Sequence, residues 1–313
     1  MDDTPRIGIV GAGGIAPPHI EGWLALGAEV AILRRTGADA LAARHGIRVV
    51  DSLDELIEMS GIVDIVSPTP THPDIALAAF ARGRHVVCEK PLAVTAADAQ
   101  LVADAAAAAG VRLFPAHVVR YFEGYHRLHE QRASVGDPLE LTFRRTVEAP
   151  AVAWFYAEDA GGGLIRDLMI HDLDQALWLA GPVREVSATQ DPPAVAGAVE
   201  PPVSAHVSLT HTNGAISHVR ADWSDPGTPF RSTASIVGAG GELSVDTDEV
   251  VGAGEAGLPS ASAVDPYRTQ LADFLDAIRT GRDARVTPAD GVAAVLLVDA
   301  AYASLASGHP VLL

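Results

Sequence analysis

A lysine set between a glutamate and a proline, in Val87-Cys88-Glu89-Lys90-Pro91-Leu92, stands where an apolar strand should end. The carboxyl edge of an open parallel sheet is where ligands bind, and packing gives little reason for an ammonium there. Earlier in the chain, Arg6–Val10 runs into Gly11-Ala12-Gly13-Gly14-Ile15-Ala16, a dinucleotide-binding fingerprint between a strand and a helix. Gly11 permits the tight turn and Gly13 lets the backbone approach a pyrophosphate. Gly14 and Ile15 lie in the same turn, and the small Ala16 lets the helix pack close to the sheet. The helix N-terminus offers amide donors and a positive dipole end. Further on, Gly161-Gly162-Gly163 leads to Asp167, His171 and Asp174 at i, i+4 and i+7. Together these features predict redox chemistry on a nicotinamide cofactor.

The second strand should end at Leu33-Arg34-Arg35-Thr36. A site that prefers NAD carries an acidic residue near this place for the ribose 2′-hydroxyl. Two guanidinium forks and a hydroxyl suit a 2′-phosphate instead. Arg34, Arg35 and Thr36 therefore favour NADP(H). The alternative is NAD(H), with both arginines solvated and Asp39 serving the ribose. After the fourth strand comes Ser67-Pro68-Thr69-Pro70-Thr71-His72. Its prolines stiffen a loop at the cofactor edge, which places Pro68 and Thr69 at the dinucleotide together with Glu89 and Lys90. Thr71 is positioned to cap the next helix. His72 lies either near the nicotinamide ribose or against loop carbonyls.

Asp167, His171 and Asp174 form one polar stripe on a helix otherwise lined by Leu164, Ile165, Leu168, Met169, Ile170, Leu173, Leu177 and Trp178. Burying such a stripe is costly unless it is paired or wet. Three readings fit: a salt bridge within the helix, a metal site, or a catalytic acid–base pair opposite Lys90. No second histidine follows at zinc-ligand spacing, so no metal is expected. In the third reading neutral His171 takes a hydroxyl proton, and a carboxylate sets its tautomer. The remaining histidines, His19 and His117 among them, show no clustering and read as structural. Trp154, Phe155 and Tyr156 are either core or the wall of a substrate pocket.

These groups need a scaffold of 313 residues, of which 48% are hydrophobic, enough for two domains. The net charge of −18 disfavours nucleic acid and anionic membranes as partners. No charged-then-apolar leader and no membrane-spanning run are evident, and one cysteine, Cys88, excludes an internal disulfide. A cytoplasmic protein is the expectation. Buried parallel strands are expected at Arg6–Val10, Glu29–Leu33, 62–66, 85–88 and 111–114, alternating with helices, as in a doubly wound sheet. Beyond Ala116 the pattern turns to half-buried strands: 139–147, a hairpin around Asn213-Gly214, and a pair around Gly238-Ala239-Gly240-Gly241. Helices follow at 164–179, 267–280 and 288–307, with surface loops at 191–202 and 252–259. The domains are read as 1–118 and 119–313.

The glycine turn, the run His85 to Ala93 and the run Gly161 to Asp174 together resemble the Gfo/Idh/MocA family of glucose–fructose oxidoreductases and inositol dehydrogenases. The likeness covers nearly the whole chain, to Gly308-His309-Pro310-Val311. It implies a Rossmann domain followed by an α+β domain with a large, mostly antiparallel open sheet. It also implies that Lys90 contacts the reacting oxygen, that His171 accepts the proton and that Asp167 stands beside it. The substrate would be a sugar, a polyol or a related cyclic compound, lying between nicotinamide and the helix of Asp167 and His171. A homodimer or homotetramer, assembled through the open sheet face, is implied as well. The alternatives are a cofactor- and sugar-binding regulator without turnover, and a dihydrodiol-type dehydrogenase.

Overall fold

The computed structural model describes residues 4–158, 160–246 and 265–313. The chain divides into two compact units, Met1–Tyr121 with Val264–Val292, and Phe122–Ala263 with Ala293–Leu313.

In the first unit β1 (Arg6–Val10), β2 (Glu29–Leu33), β3 (Arg48–Val50), β4 (Ile62–Ile65), β5 (His85–Glu89) and β6 (Leu113–Ala116) form one parallel sheet. The strand order is β3-β2-β1-β4-β5-β6. Its central strands are buried on both faces, as continuous runs such as Val86-Val87-Cys88 require. The helices between them are α1 (Ala16–Ala25), α2 (Ala38–His45), α3 (Leu53–Met59), α4 (His72–Phe80) and α5 (Ala96–Ala108). Ser52 caps α3 by accepting from Glu55 N–H at 3.1 Å, and Thr95 caps α5 through Asp98 N–H at 3.1 Å. Thr71 does not cap α4, because its hydroxyl is turned back on the Pro68 carbonyl at 2.7 Å. The strand β3 was not among the expected runs. It is three residues long, on the sheet edge and half exposed, so it carries no apolar pattern.

The second unit holds α6 (Glu123–Gln131), β7 (Pro138–Glu148), α7 (Ile170–Ala180), β8 (Val183–Asp191), β9 (Val203–His211), β10 (Ile216–Ser224), β11 (Arg231–Gly238) and β12 (Gly241–Asp246). The last two helices are α8 (Pro266–Thr280) and α9 (Pro288–Ser307), and β13 (Val311–Leu312) closes the sheet. The order is β12-β11-β7-β10-β9-β8-β13, antiparallel throughout except for the parallel pair β7 and β10. The expected hairpin around Asn213-Gly214 is formed by β9 and β10 and turns through Thr212, Asn213 and Gly214, with His211 N–H donating to Ala215 O at 2.9 Å. Strand β8 escaped the pattern reading because only Val183 and Val186 are buried in it. The expected loop at 252–259 lies outside the described residues.

Helix α8 departs from the expected domain boundary. Its Leu271, Phe274, Leu275 and Ala277 join the core of the first unit beside Ile20, Trp23 and Phe114. The Phe114 and Phe274 rings stack at 4.8 Å. Helix α9, by length and composition, is apolar enough to cross a membrane, contrary to the sequence reading. Its Ala294, Val295, Leu297 and Val298 are buried against protein instead.

Candidate active-site clusters

Strand β1 delivers the glycine turn to the carboxyl edge of the parallel sheet. Gly11 has φ +125°, and a Cβ there would strike the Val66 carbonyl, so this position demands glycine. Gly13 and Gly14 face open space, with nothing within 4 Å of where a Cβ would stand. No side chain caps α1, and Pro17 and Pro18 occupy its first turn. Prolines lack the N–H that a helix start leaves orphaned, so α1 offers fewer donors than expected. Ala16 N–H donates to Gly13 O at 3.1 Å. Donors for a pyrophosphate are therefore the amides of Gly13, Gly14 and Ile15. The open, uncapped cradle fits a dinucleotide.

At the end of β2, Arg34 is committed to two carboxylates. Its Nε donates to Asp51 at 2.6 Å and its Nη1 to Asp39. Those bonds hold its pKa above the ordinary value. Arg35 and Thr36 are exposed. The loop after β4 keeps Pro68 at the surface and buries Thr69. His72 is buried, with Nδ1 2.9 Å from Pro91 O and Nε2 2.8 Å from Ser67 O. Burial lowers its pKa against those bonds. Both ring nitrogens thus face loop carbonyls.

Beneath the lysine lies a group that sequence reasoning missed. His19, on α1, is fully buried. Its Nδ1 donates to Asp64 Oδ2 of β4 at 2.9 Å and its Nε2 to Glu89 Oε1 of β5 at 3.0 Å. Trp23 Nε1 donates to the same Asp64 oxygen at 2.7 Å. Glu89 Oε2 accepts the Lys90 backbone N–H at 3.1 Å. Burial alone would lower the His19 pKa, but the two carboxylates push it up to about 10. Burial likewise opposes ionised Glu89, yet His19 and then Lys90 hold its pKa below the carboxylate range. Glu89, read from sequence as a cofactor contact, has both oxygens engaged inside the protein. Lys90 is half-buried at the strand end.

In the second unit the expected helix at 164–179 is not uniform. Ile165–Met169 winds as a π-turn before α7 begins. Such turns often mark functional sites. Asp167 and His171 are half-buried, while Asp174 is fully buried. The three-residue stripe is thus a two-residue open face. Asp172 is also buried and accepts from Arg145 Nη2 at 2.7 Å and Nε at 3.0 Å, an ion pair across 27 positions. The glycine run is explained by contact. A Cβ on Gly162 would lie 2.5 Å from the Trp154 and Phe155 carbonyls. Gly163 has φ +97° and would meet the Tyr302 hydroxyl. Gly163 N–H donates to Phe155 O at 2.6 Å, and Asp167 N–H to Gly163 O at 2.9 Å. Arg166 Nη1 donates to Glu158 O at 2.6 Å and Gly162 O at 3.0 Å, with its guanidinium 4.7 Å from the Tyr302 ring centre. Trp154 and Phe155 stack at 4.0 Å; none of Trp154, Phe155 and Tyr156 is fully buried. Among the described residues no group of three or more His, Cys, Asp or Glu side chains could hold a metal ion.

Comparison with known proteins agrees with both units. Residues 5–117 match the oxidoreductase family with an NAD-binding Rossmann fold, and residues 130–244 match the GFO/IDH/MocA C-terminal domain. An inositol 2-dehydrogenase of Ralstonia nicotianae is 30% identical, over 97% of this chain and 95% of its own. A 1,5-anhydro-D-fructose reductase of Ensifer adhaerens is 30% identical, over 92% of each chain. The crystal structure of GenD2 from gentamicin A biosynthesis, in complex with NAD, superposes with a TM-score of 0.89 at 28% identity, covering 100% of this chain and 97% of that one. With a glycine cradle open to a dinucleotide, a lysine at the strand end and a half-open Asp–His face, the chain belongs to the Gfo/Idh/MocA oxidoreductases.

Proposed function

We propose that the protein moves hydride between nicotinamide C4 and the CH–OH carbon of a sugar, a polyol or a related cyclic compound. The observation that carries this reading is the pair Asp167 and His171, half-open on an otherwise mostly buried helix. The inositol dehydrogenase and anhydrofructose reductase relatives support the substrate class. The nicotinamide supplies the hydride chemistry; the protein supplies geometry and charge. Lys90 donates to the substrate oxygen and stabilises negative charge as its proton leaves. His171 takes that proton on a ring nitrogen. Asp167, four residues earlier, orients the ring or binds a neighbouring hydroxyl. The assembly is a homodimer or homotetramer in the cytoplasm.

Lys90→Met should keep dinucleotide affinity and lower kcat by about 10²–10³-fold, the usual cost of removing one donor to a developing oxyanion. Steady-state kinetics on a polyol panel that includes myo-inositol tests this. Near-normal turnover would remove Lys90 from the mechanism.

The preference for NADP(H) rests on Arg35 and Thr36, since Arg34 is occupied by Asp39 and Asp51. That occupation favours a second reading, NAD(H) with Asp39 at the ribose. Fluorescence titration with NADPH and NADH separates the two: tighter NADPH binding supports the first reading, tighter NADH binding the second.

A further inference from the structure

We propose that His19 is the positioning residue of the lysine turn: an imidazolium held between Asp64 and Glu89, it fixes the Glu89 carboxylate, which in turn holds the Lys90 backbone. The inference rests on the role proposed for Lys90.

Three elements converge on this point. Helix α1 brings His19 and Trp23, one turn apart; β4 brings Asp64 and β5 brings Glu89. Both ring nitrogens of His19 face carboxylate oxygens, at 2.9 and 3.0 Å. With both carboxylates ionised, and so only accepting, both ring nitrogens carry hydrogen and the ring is a cation. Charge closes locally: Asp64 and Glu89 supply two negative charges, His19 and Lys90 two positive ones.

The titratable groups next to His19 or its Glu89 partner leave that state undisturbed near neutral pH. Tyr267 of α8 has its ring 5.8 Å away, and burial, then Glu89 and Asp265, raise its pKa. The Cys88 thiol is pushed up by burial, then by Glu89 and Asp64. His72 of α4 is lowered by burial. Tyrosine and thiol therefore stay protonated and His72 stays neutral, while Glu89 stays ionised.

Stability alone is a poor reason for such a cluster. Buried ion pairs often stabilise less than apolar side chains of the same volume, and the surrounding core is apolar, with Ile7, Ile9, Ile20 and Val87. Its location is more informative. Glu89 precedes Lys90, and Pro91, which follows it, has its carbonyl 2.9 Å from the His72 ring. The lysine is thus flanked by two residues that histidines hold from different helices. His19 also lies three positions beyond Ala16, so one side chain ties the cofactor helix to the lysine strand.

Lys90 is the single lysine of the chain. Labelling with ¹⁵N,¹³C-lysine therefore gives one backbone amide signal, from the N–H that donates to Glu89, and one Cε signal. In the wild-type protein the amide shift should be flat from about pH 6.5 to about pH 9, because the imidazolium does not titrate there. In His19→Gln, amide exchange should speed up by about tenfold or more and the Cε signal should sharpen as the side chain loses order. Trp23→Phe removes a donor from Asp64 but none from Glu89, and should leave both Lys90 signals in place. A merely structural cluster would move the signals in both variants or in neither. A wild-type step inside the pH window, or unchanged Lys90 signals in a folded His19→Gln protein, overturns the proposal. If His19→Gln does not fold, a wild-type amide shift that is flat across the window supports the proposal, and a step there, or Lys90 signals that move in Trp23→Phe, overturns it. Normal turnover in Lys90→Met would instead sink the reading of Lys90 and leave the hold of His19 on the strand as measured.

Discussion

Arg34 shows how one side chain can carry opposite meanings. Read in sequence beside Arg35, it is a fork for a 2′-phosphate. In the fold it bridges Asp39 and Asp51, and without it those two carboxylates would stand uncompensated at the end of β2. Arg34→Ala should therefore weaken NADPH binding by about tenfold through carboxylate–phosphate repulsion and change NADH binding much less. Equal losses for both dinucleotides, in the same fluorescence titration, would show that Arg34 only shapes the loop. Sequence reading singled out Lys90, Asp167 and His171 because their types are out of place in apolar surroundings. It passed over His19 because its carboxylate partners stand 45 and 70 residues further along. Helical spacing reveals neighbours three or four residues apart, and by that measure His19 and Trp23 look like ordinary core.

At the scale of elements, the glycine run and the π-turn act as one device. Gly162 and Gly163 let the Trp154–Tyr156 turn sit against the start of the helix, and Gly163 O anchors Asp167 N–H. Gly163→Ala puts a Cβ at φ +97°, with Glu158 Cγ 2.7 Å away. The expected cost is about 1–3 kcal/mol, read as a lower midpoint in urea denaturation, together with a loss of kcat. An unchanged midpoint would mean that the turn yields freely. The glycines were legible in the sequence as a run. The π-turn was not, because Leu164, Ile165, Leu168 and Met169 give the same apolar pattern whether the turn closes at i+4 or i+5. The burial of Asp174 was not legible either, since a stripe drawn on a helix assigns all its members one environment.

For the molecule as a whole, buried histidines set the response of stability to pH. The folded His19 pKa is raised from 6.5 to about 10, so its contribution is whole below about pH 6.5 and is lost as pH rises toward 10. His72 and His211 are shifted the other way, chiefly by burial. Their folded forms resist protonation, so the stability they contribute is present above 6.5 and lost as pH falls. Lowered carboxylates at Glu89, Asp273 and Asp290 extend that loss further into acid. Thermal melting should peak near neutral pH and decline on both sides, with a flatter alkaline decline in His19→Gln. A melting temperature that keeps rising to pH 9 would contradict this balance. The parallel sheet was largely legible in the sequence, because buried strands announce themselves as apolar runs. The parallel pairing of β7 with β10 was not, since strand partners 76 residues apart (Glu140 with Ile216) leave no local pattern.

The placement of α8 also bears on how the chain is made. The sheet of the first unit is complete once Ala116 has been synthesised, but part of its core, Leu271, Phe274 and Leu275, arrives more than 150 residues later (271 − 116 = 155). Until then Ile20, Trp23 and Phe114 lack the side chains that cover them. A nascent chain of this kind carries an unfinished apolar face while all of the second sheet but β13 emerges, and such faces invite chaperones and aggregation. The order of synthesis thus makes the dinucleotide-binding unit, first to begin folding, dependent on a late helix for its completion.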